Sequence, residues 1–143
     1  MRTVWIATPL DLDKLVVMAR KFHGISPFKD FVFSAAGTRR WLKSIMDDDA
    51  SVIMMTEHGA IGMKIEELPF CMARGLRELF WFTDRPGDGI YLLKEYEKWA
   101  MNRGVDFNMV SSIRSDGPNV EKVNRVLSAF GYDCMEYGHI KVN

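Results

Sequence analysis

The 143-residue sequence predicts an α+β fold: a mixed, mostly antiparallel central sheet of six to seven strands flanked by about four helices. Three observations carry this reading. Residues 51–56, 60–68 and 79–82 are apolar, strand-forming runs in succession, which reads as an antiparallel meander. The third run passes through Pro86, Gly87 and Gly89 into a helical stripe of Leu92, Leu93, Tyr96, Trp99 and Ala100. A further strand follows, so residues 79–113 form a strand–helix–strand unit, whose crossover must be right-handed if its strands are parallel neighbours.

The other elements follow in order. Residues 3–7 read as a first strand. Thr8 caps a helix, Pro9 is its first residue, and Asp11 sits where a capping-box acid belongs. Leu12, Leu15, Val16, Ala19 and Phe22 make its buried stripe, and Gly24 ends it. Residues 25–36 are irregular and hold Phe28, Phe31 and Phe33; they close over the core or form a wall of a substrate site. Thr38 caps a second helix with Trp41, Leu42 and Ile45 on one face, and Asp47 to Asp49 end it as a solvated turn. Glu57, His58 and Gly59 turn the first hairpin. Asn102, Arg103 and Gly104 stop the central helix, and a strand over 105–113 leads into a polar turn at 116–119. Val120, Val123, Leu127 and Phe130 mark a last helix, which Gly131 closes. Residues 132–136 and 139–142 then read as a final hairpin.

Length suits a single domain spanning 1–143. A formal net charge of zero supplies no global field to recruit nucleic acid or an anionic membrane. Cys71 and Cys134 form no C-x-x-C pair, and no apolar run reaches the length of a membrane span, so a cytoplasmic protein with free thiols is expected. The acidic triplet lacks other metal-ligand spacings, so no metal is expected. Ten methionines read as adaptable core filling.

The chemistry lies at the glycine turn. A strand that feeds a glycine-rich helix start presents unpaired N–H groups at the positive end of the helix dipole. Only small residues let a phosphate approach such a backbone. The bland alternative is an ordinary glycine turn. In the element order given above, this pattern resembles the GNAT acetyltransferase superfamily over nearly the whole chain. That family carries Gln/Arg-x-x-Gly-x-Gly/Ala between its fourth strand and third helix. Here the run is Asp84-Arg85-Pro86-Gly87-Asp88-Gly89, with both glycines in place and Asp at the first position. Phe130-Gly131-Tyr132 is similar to the family's Leu-Gly-Phe close, and Asn119 fits its asparagine near the last helix.

The resemblance implies a GNAT-like acetyl-CoA-binding domain. The cofactor's diphosphate would lie on the turn formed by Arg85, Gly87, Asp88, Gly89 and Ile90, and its pantetheine arm along Trp81, Phe82 and Thr83. Asp84 and Asp88 would each oppose the anion by up to a few kcal/mol. Transfer to an amine needs a base, and Glu78 is the candidate. On a regular strand it shares a face with Phe80 and Phe82, whose apolar surroundings would raise its pKa. Glu66 and Glu67 are alternatives. The family's acid, a tyrosine, is replaced by Leu127, which leaves Tyr132, or Tyr137, to protonate the thiolate. Cys134 reads as a buried inert thiol and His139 as structural. The implied activity is N-acetyl transfer to a primary amine of a protein or small molecule. The alternative is a non-catalytic GNAT-fold binding or assembly protein, such as a phage virion or host-takeover component. The aromatics of 28–33 offer a surface for a homodimer.

Overall fold

The computed structural model describes residues 2–112 and 120–143. Its elements, in chain order, are β1 (Trp5–Ile6), α1 (Leu12–Ile25), α2 (Ala35–Met46), β2 (Ser51–Thr56), β3 (Gly59–Glu67), β4 (Arg74–Thr83), α3 (Asp88–Arg103), β5 (Phe107–Met109) and α4 (Val120–Ala129). The strands form one sheet in sequential order. β1 to β4 are antiparallel, and β5 joins β4 in parallel. The mixed α+β sheet and the parallel crossover therefore form as expected. Among the described residues the sheet has five strands, not six to seven. The missing hairpin is at the C-terminus, where residues 132–143 form no strand. Met135, Tyr137 and Val142 there stay largely exposed, and an isolated hairpin that buries no apolar face is marginal at best.

Each face of the sheet builds its own core, because alternate side chains point to opposite sides. On one face Val52, Met54, Ile61, Met63 and Leu76 pack against Leu92, Leu93, Tyr96 and Ala100 of α3 and Leu127 of α4. On the other, Ile53, Met55 and Ala60 meet Leu12, Leu15 and Met18 of α1 and Leu42 and Ile45 of α2. One irregularity interrupts the alternation. Gly62 lies opposite Phe80 while Met63 lies opposite Glu78, so Leu79 is an extra residue in β4, a β-bulge. Glycine is required at 62 because a Cβ there would fall 2.4 Å from the Phe80 ring.

Local capping chemistry shifts several helix ends. Thr8 heads a short 3-10 turn over Pro9–Asp11, and its N–H donates to Asp11 Oδ2 at 2.9 Å, so α1 proper begins at Leu12. α1 runs through Gly24 to Ile25. α2 begins earlier than Thr38 because Ser34 caps it, accepting from the Gly37 N–H at 3.0 Å; the Thr38 hydroxyl donates back to Ser34 O instead. α3 begins at Asp88 and stops before Gly104 as expected, and the glycines that flank it, Gly87 and Gly104, are both left-handed. Among the described residues no helix is long and apolar enough to cross a membrane.

β5 is only three residues long, and Tyr96 stands where it is held. The Tyr96 side chain is fully buried, and its hydroxyl lies 2.7 Å from both Leu76 O of β4 and Met109 O of β5. The phenol thus ties the two parallel strands together from the α3 side. Tyr96→Phe keeps the ring and removes this tie. It should lower unfolding free energy by about 1–3 kcal/mol in denaturant titrations and speed amide exchange in β5. Unchanged stability and exchange would show that the tie bears no load.

Candidate active site

β5 pairs only with Gly75, Leu76 and Arg77 of β4. β4 continues to Thr83, still paired with β3 on its other side. Residues 78–83 therefore have no strand partner on the β5 side among the described residues. Such an edge offers main-chain donors and acceptors to an extended ligand. Trp81, Phe82 and Thr83, the residues expected to meet a pantetheine arm, lie on this stretch.

The open edge runs directly into the glycine turn. The Asp84 N–H donates to His58 O at 2.9 Å, the Arg85 N–H to Thr83 Oγ1 at 3.2 Å, and the Asp88 N–H to Arg85 O at 3.2 Å. No side chain caps α3. By the geometry of a helix start, the N–H groups of its first turn, Gly89 and Ile90 among them, have no acceptor one turn back within the helix, the arrangement that suits an anion. The two glycines serve different needs. Gly87 takes φ +86°, where a side chain is strained, and a Cβ there would also meet the Arg2 guanidinium at 2.8 Å. Gly89 is buried, and its Cβ would press on Thr83 Cγ2 at 3.3 Å and the Trp81 indole at 3.5 Å.

Both carboxylates of the turn are already paired. Asp88 points inward, accepts from the Thr56 hydroxyl at 3.0 Å and lies 2.7 Å from Arg2 Nε. Asp84 lies 2.9 Å from Lys21 Nζ and 3.4 Å from His58 Nδ1. Their repulsion of an anion is thereby offset, which the sequence pattern does not reveal. Beside the turn is a cavity of about 200 Å³, lined by Arg2, Trp5, Thr56, Glu57 and Arg85 among others.

Glu78 sits where β5 departs. The bulge at Leu79 places it opposite Met63, on the α3 face, whereas Phe80 and Phe82 pack on the α1–α2 face. The expectation that these aromatics share its face is therefore corrected. Its carboxyl is nonetheless pushed up to about 7, chiefly by burial; the Ser111 N–H, 3.3 Å from Oε2, and Arg77 oppose the rise. A carboxylate poised near neutrality suits a general base. The alternatives lie elsewhere: Glu66 is paired with Arg77 at 2.7 Å, and Glu67 lines a second cavity with Arg74 and Arg103.

Tyr132 follows α4 and is held by its N–H to Leu127 O at 3.0 Å. Its hydroxyl is buried near Glu97 and Asn108 without a well-formed hydrogen bond. Burial, then the Glu97 charge, raises its pKa, so it keeps its proton firmly. It also lies near enough to Tyr96 to raise that phenol's pKa. Tyr137 is exposed, and so are His139 and Cys134, which corrects the reading of Cys134 as a buried thiol. Asn119 lies outside the described residues.

No protein-family model matches the chain, and no curated protein matches it by sequence. Solved structures do match. A transcriptional regulator from Bacillus halodurans C-125 aligns with TM-score 0.77 and 16% identity, over 100% of this chain and 99% of its own. A predicted acetyltransferase from Clostridium acetobutylicum, solved with acetyl-CoA, aligns with TM-score 0.73 and 16% identity, over 100% and 96%. A GCN5-related N-acetyltransferase from Ralstonia eutropha JMP134 aligns with TM-score 0.70 and 14% identity, over 99% of both chains. The chain has the GNAT acetyltransferase fold.

In the GNAT frame, Leu127 at the usual tyrosine position is confirmed as a core residue, 7% exposed beneath α3. Sequence reasoning missed Arg2, Thr56, Glu97 and Asn108, which reach the site only through tertiary contacts. Tyr96 carried a signal: a tyrosine on a buried helical stripe must place its hydroxyl against a partner.

The raised pKa of Glu78 makes a signed prediction. The folded state binds this proton more tightly than the unfolded state, whose carboxyl titrates near 4.5. Stability should therefore fall as pH rises from about 4.5 through about 7, by up to about 3 kcal/mol. Glu78→Gln should flatten that segment of the stability–pH curve. A curve for the variant that parallels the wild type would mean that Glu78 titrates normally.

Proposed function

We propose that this protein is an N-acetyltransferase that takes acetyl from acetyl-CoA to a primary amine. The carrying observation is the β4 edge, open over 78–83, which leads into an uncapped helix start. An extended thioester arm fits the first feature and a diphosphate the second. In this reading the pantetheine amides pair with the main chain of Trp81 to Thr83, and the N–H groups of Gly89 and Ile90 receive the diphosphate. Gly87 shapes the turn. The thioester carbonyl then falls near the fork, where Glu78 stands.

Attack is direct. The amine nitrogen adds to the thioester carbonyl carbon, Glu78 accepts a proton from the ammonium, and the carbon–sulfur bond breaks to release the thiolate. Tyr132 is a poor donor to that thiolate because its raised pKa holds its proton and its hydroxyl is buried near Glu97 and Asn108. We assign it to packing between α4, α3 and β5, and leave protonation of the thiolate to solvent. Thiolate is a stable enough leaving group near neutral pH for this route, since thiols titrate near 8.5.

A second reading has an observation of its own. With Leu127 in the core and the Tyr132 hydroxyl buried, no tyrosine acid serves the fork. A shared fold does not fix activity, and one matched structure is described as a transcriptional regulator. A GNAT-shaped binding protein without turnover fits those facts.

Acetyl-CoA at a hundred times its dissociation constant should stabilise the protein by about 2.7 kcal/mol. Gly89→Val should abolish the shift, because its branches would meet Thr83 and Trp81. Gly87→Val is the poorer probe, since φ +86° strains the variant itself. Thiol release with a panel of amines then separates the readings. Release that falls below pH 7 and is lost in Glu78→Gln supports the enzyme. A thermal shift with no release between pH 6 and pH 9 supports the binding protein. The absence of any shift at millimolar acetyl-CoA would contradict both uses of the cofactor site.

A further inference from the structure

Arg2 contacts the glycine turn at both Pro86 and Asp88. Its Nε lies 2.7 Å from Asp88 Oδ1, and its NH2 group donates to Pro86 O at 3.0 Å. Its guanidinium carbon stands 4.9 Å from the centre of the Tyr91 ring, in the first turn of α3. It also occupies the space that a side chain at residue 87 would need. The Arg2 side chain is 30% exposed, while that of Asp88 is 2% exposed. A carboxylate that is removed from water, next to the N–H groups expected to receive a diphosphate, would oppose the anion strongly if left alone. Thr56 donates one hydrogen bond to it but brings no charge.

We infer that Arg2 is a positioning residue of the anion-binding turn: it cancels the charge of Asp88 and pins Pro86, so that the α3 N-terminus can receive the diphosphate. This rests on the cofactor reading given above and adds to it a residue from the far end of the chain. The arrangement also explains how an aspartate is accommodated between the two glycines. Asp88 anchors α3 to the end of β2 through Thr56, and Arg2 removes the electrostatic penalty of that anchor. The guanidinium needs no direct contact with the ligand.

The test compares two ligands that share the thioester arm and differ in the diphosphate. Acetyl-CoA and acetyl-pantetheine are titrated calorimetrically into wild type, Arg2→Met, Asp88→Asn and the double variant. Arg2→Met should weaken acetyl-CoA about tenfold or more and leave acetyl-pantetheine within about twofold. The double variant, which has no carboxylate to cancel, should recover most of the acetyl-CoA affinity. Asp88→Asn alone frees the Arg2 charge and should bind acetyl-CoA at least as tightly as wild type, with a steeper salt dependence. If Arg2→Met proves too unstable to titrate, the last two variants carry the test.

Four results would overturn the inference. In the first, Arg2→Met binds acetyl-CoA like wild type. In the second, it loses both ligands equally, the mark of a general structural defect. In the third, the double variant stays as weak as Arg2→Met. In the fourth, Asp88→Asn alone binds acetyl-CoA more weakly than wild type. A wild type that binds neither ligand would instead sink the cofactor reading, and this inference with it.

Discussion

The parting of β5 from β4 is the constraint on which the site depends. Three residue pairs join the strands, and beyond them β4, still paired with β3, has no strand on its β5 side among the described residues. A parallel edge cannot simply be left to fray, because its main-chain groups need partners or water. The Tyr96 hydroxyl marks the limit of pairing by lying against a carbonyl of each strand. Tyr96 belongs to α3, the same helix whose N-terminus forms the glycine turn. One rigid element thus fixes both ends of the groove that we assign to the cofactor. The packing of Leu92 and Leu93 against the sheet keeps that element in place.

Electrostatics at the two ends of this groove are managed in opposite ways. At the turn, Asp88 is matched with Arg2 of the N-terminal segment and Asp84 with Lys21 of α1. At the fork, Glu78 forms no ion pair among the described residues, and burial raises its pKa to about 7. A carboxylate thus serves packing and pairing at Asp88, whereas at Glu78 it is the base that we propose.

Much of the fold was legible because helix stripes and glycine caps are local. The stripe from Leu92 to Ala100, the turn at Gly87, the stop at Gly104 and the left-handed Gly131 needed no tertiary information. The meander was equally clear from its turns. The bulge at Leu79 was not, because an extra residue is defined only against its partner strand. That one residue moved Glu78 to the opposite face from Phe80. The final hairpin failed for the complementary reason: alternation in residues 132–142 is a local signal, but a strand also needs a neighbour and a face to bury. Arg2 and Asp88 come from distant parts of the chain, and no sequence period links them.

The central claim is that an open β4 edge and a bare helix start together hold acetyl-CoA. Amide-resolved NMR of the whole chain, titrated with acetyl-CoA, addresses it most directly. The account predicts the largest shifts and the strongest new exchange protection at Trp81 to Thr83 and at Gly87 to Ile90. α2 should be almost unaffected. Saturable changes centred away from that edge and turn, with these amides unmoved, would contradict it.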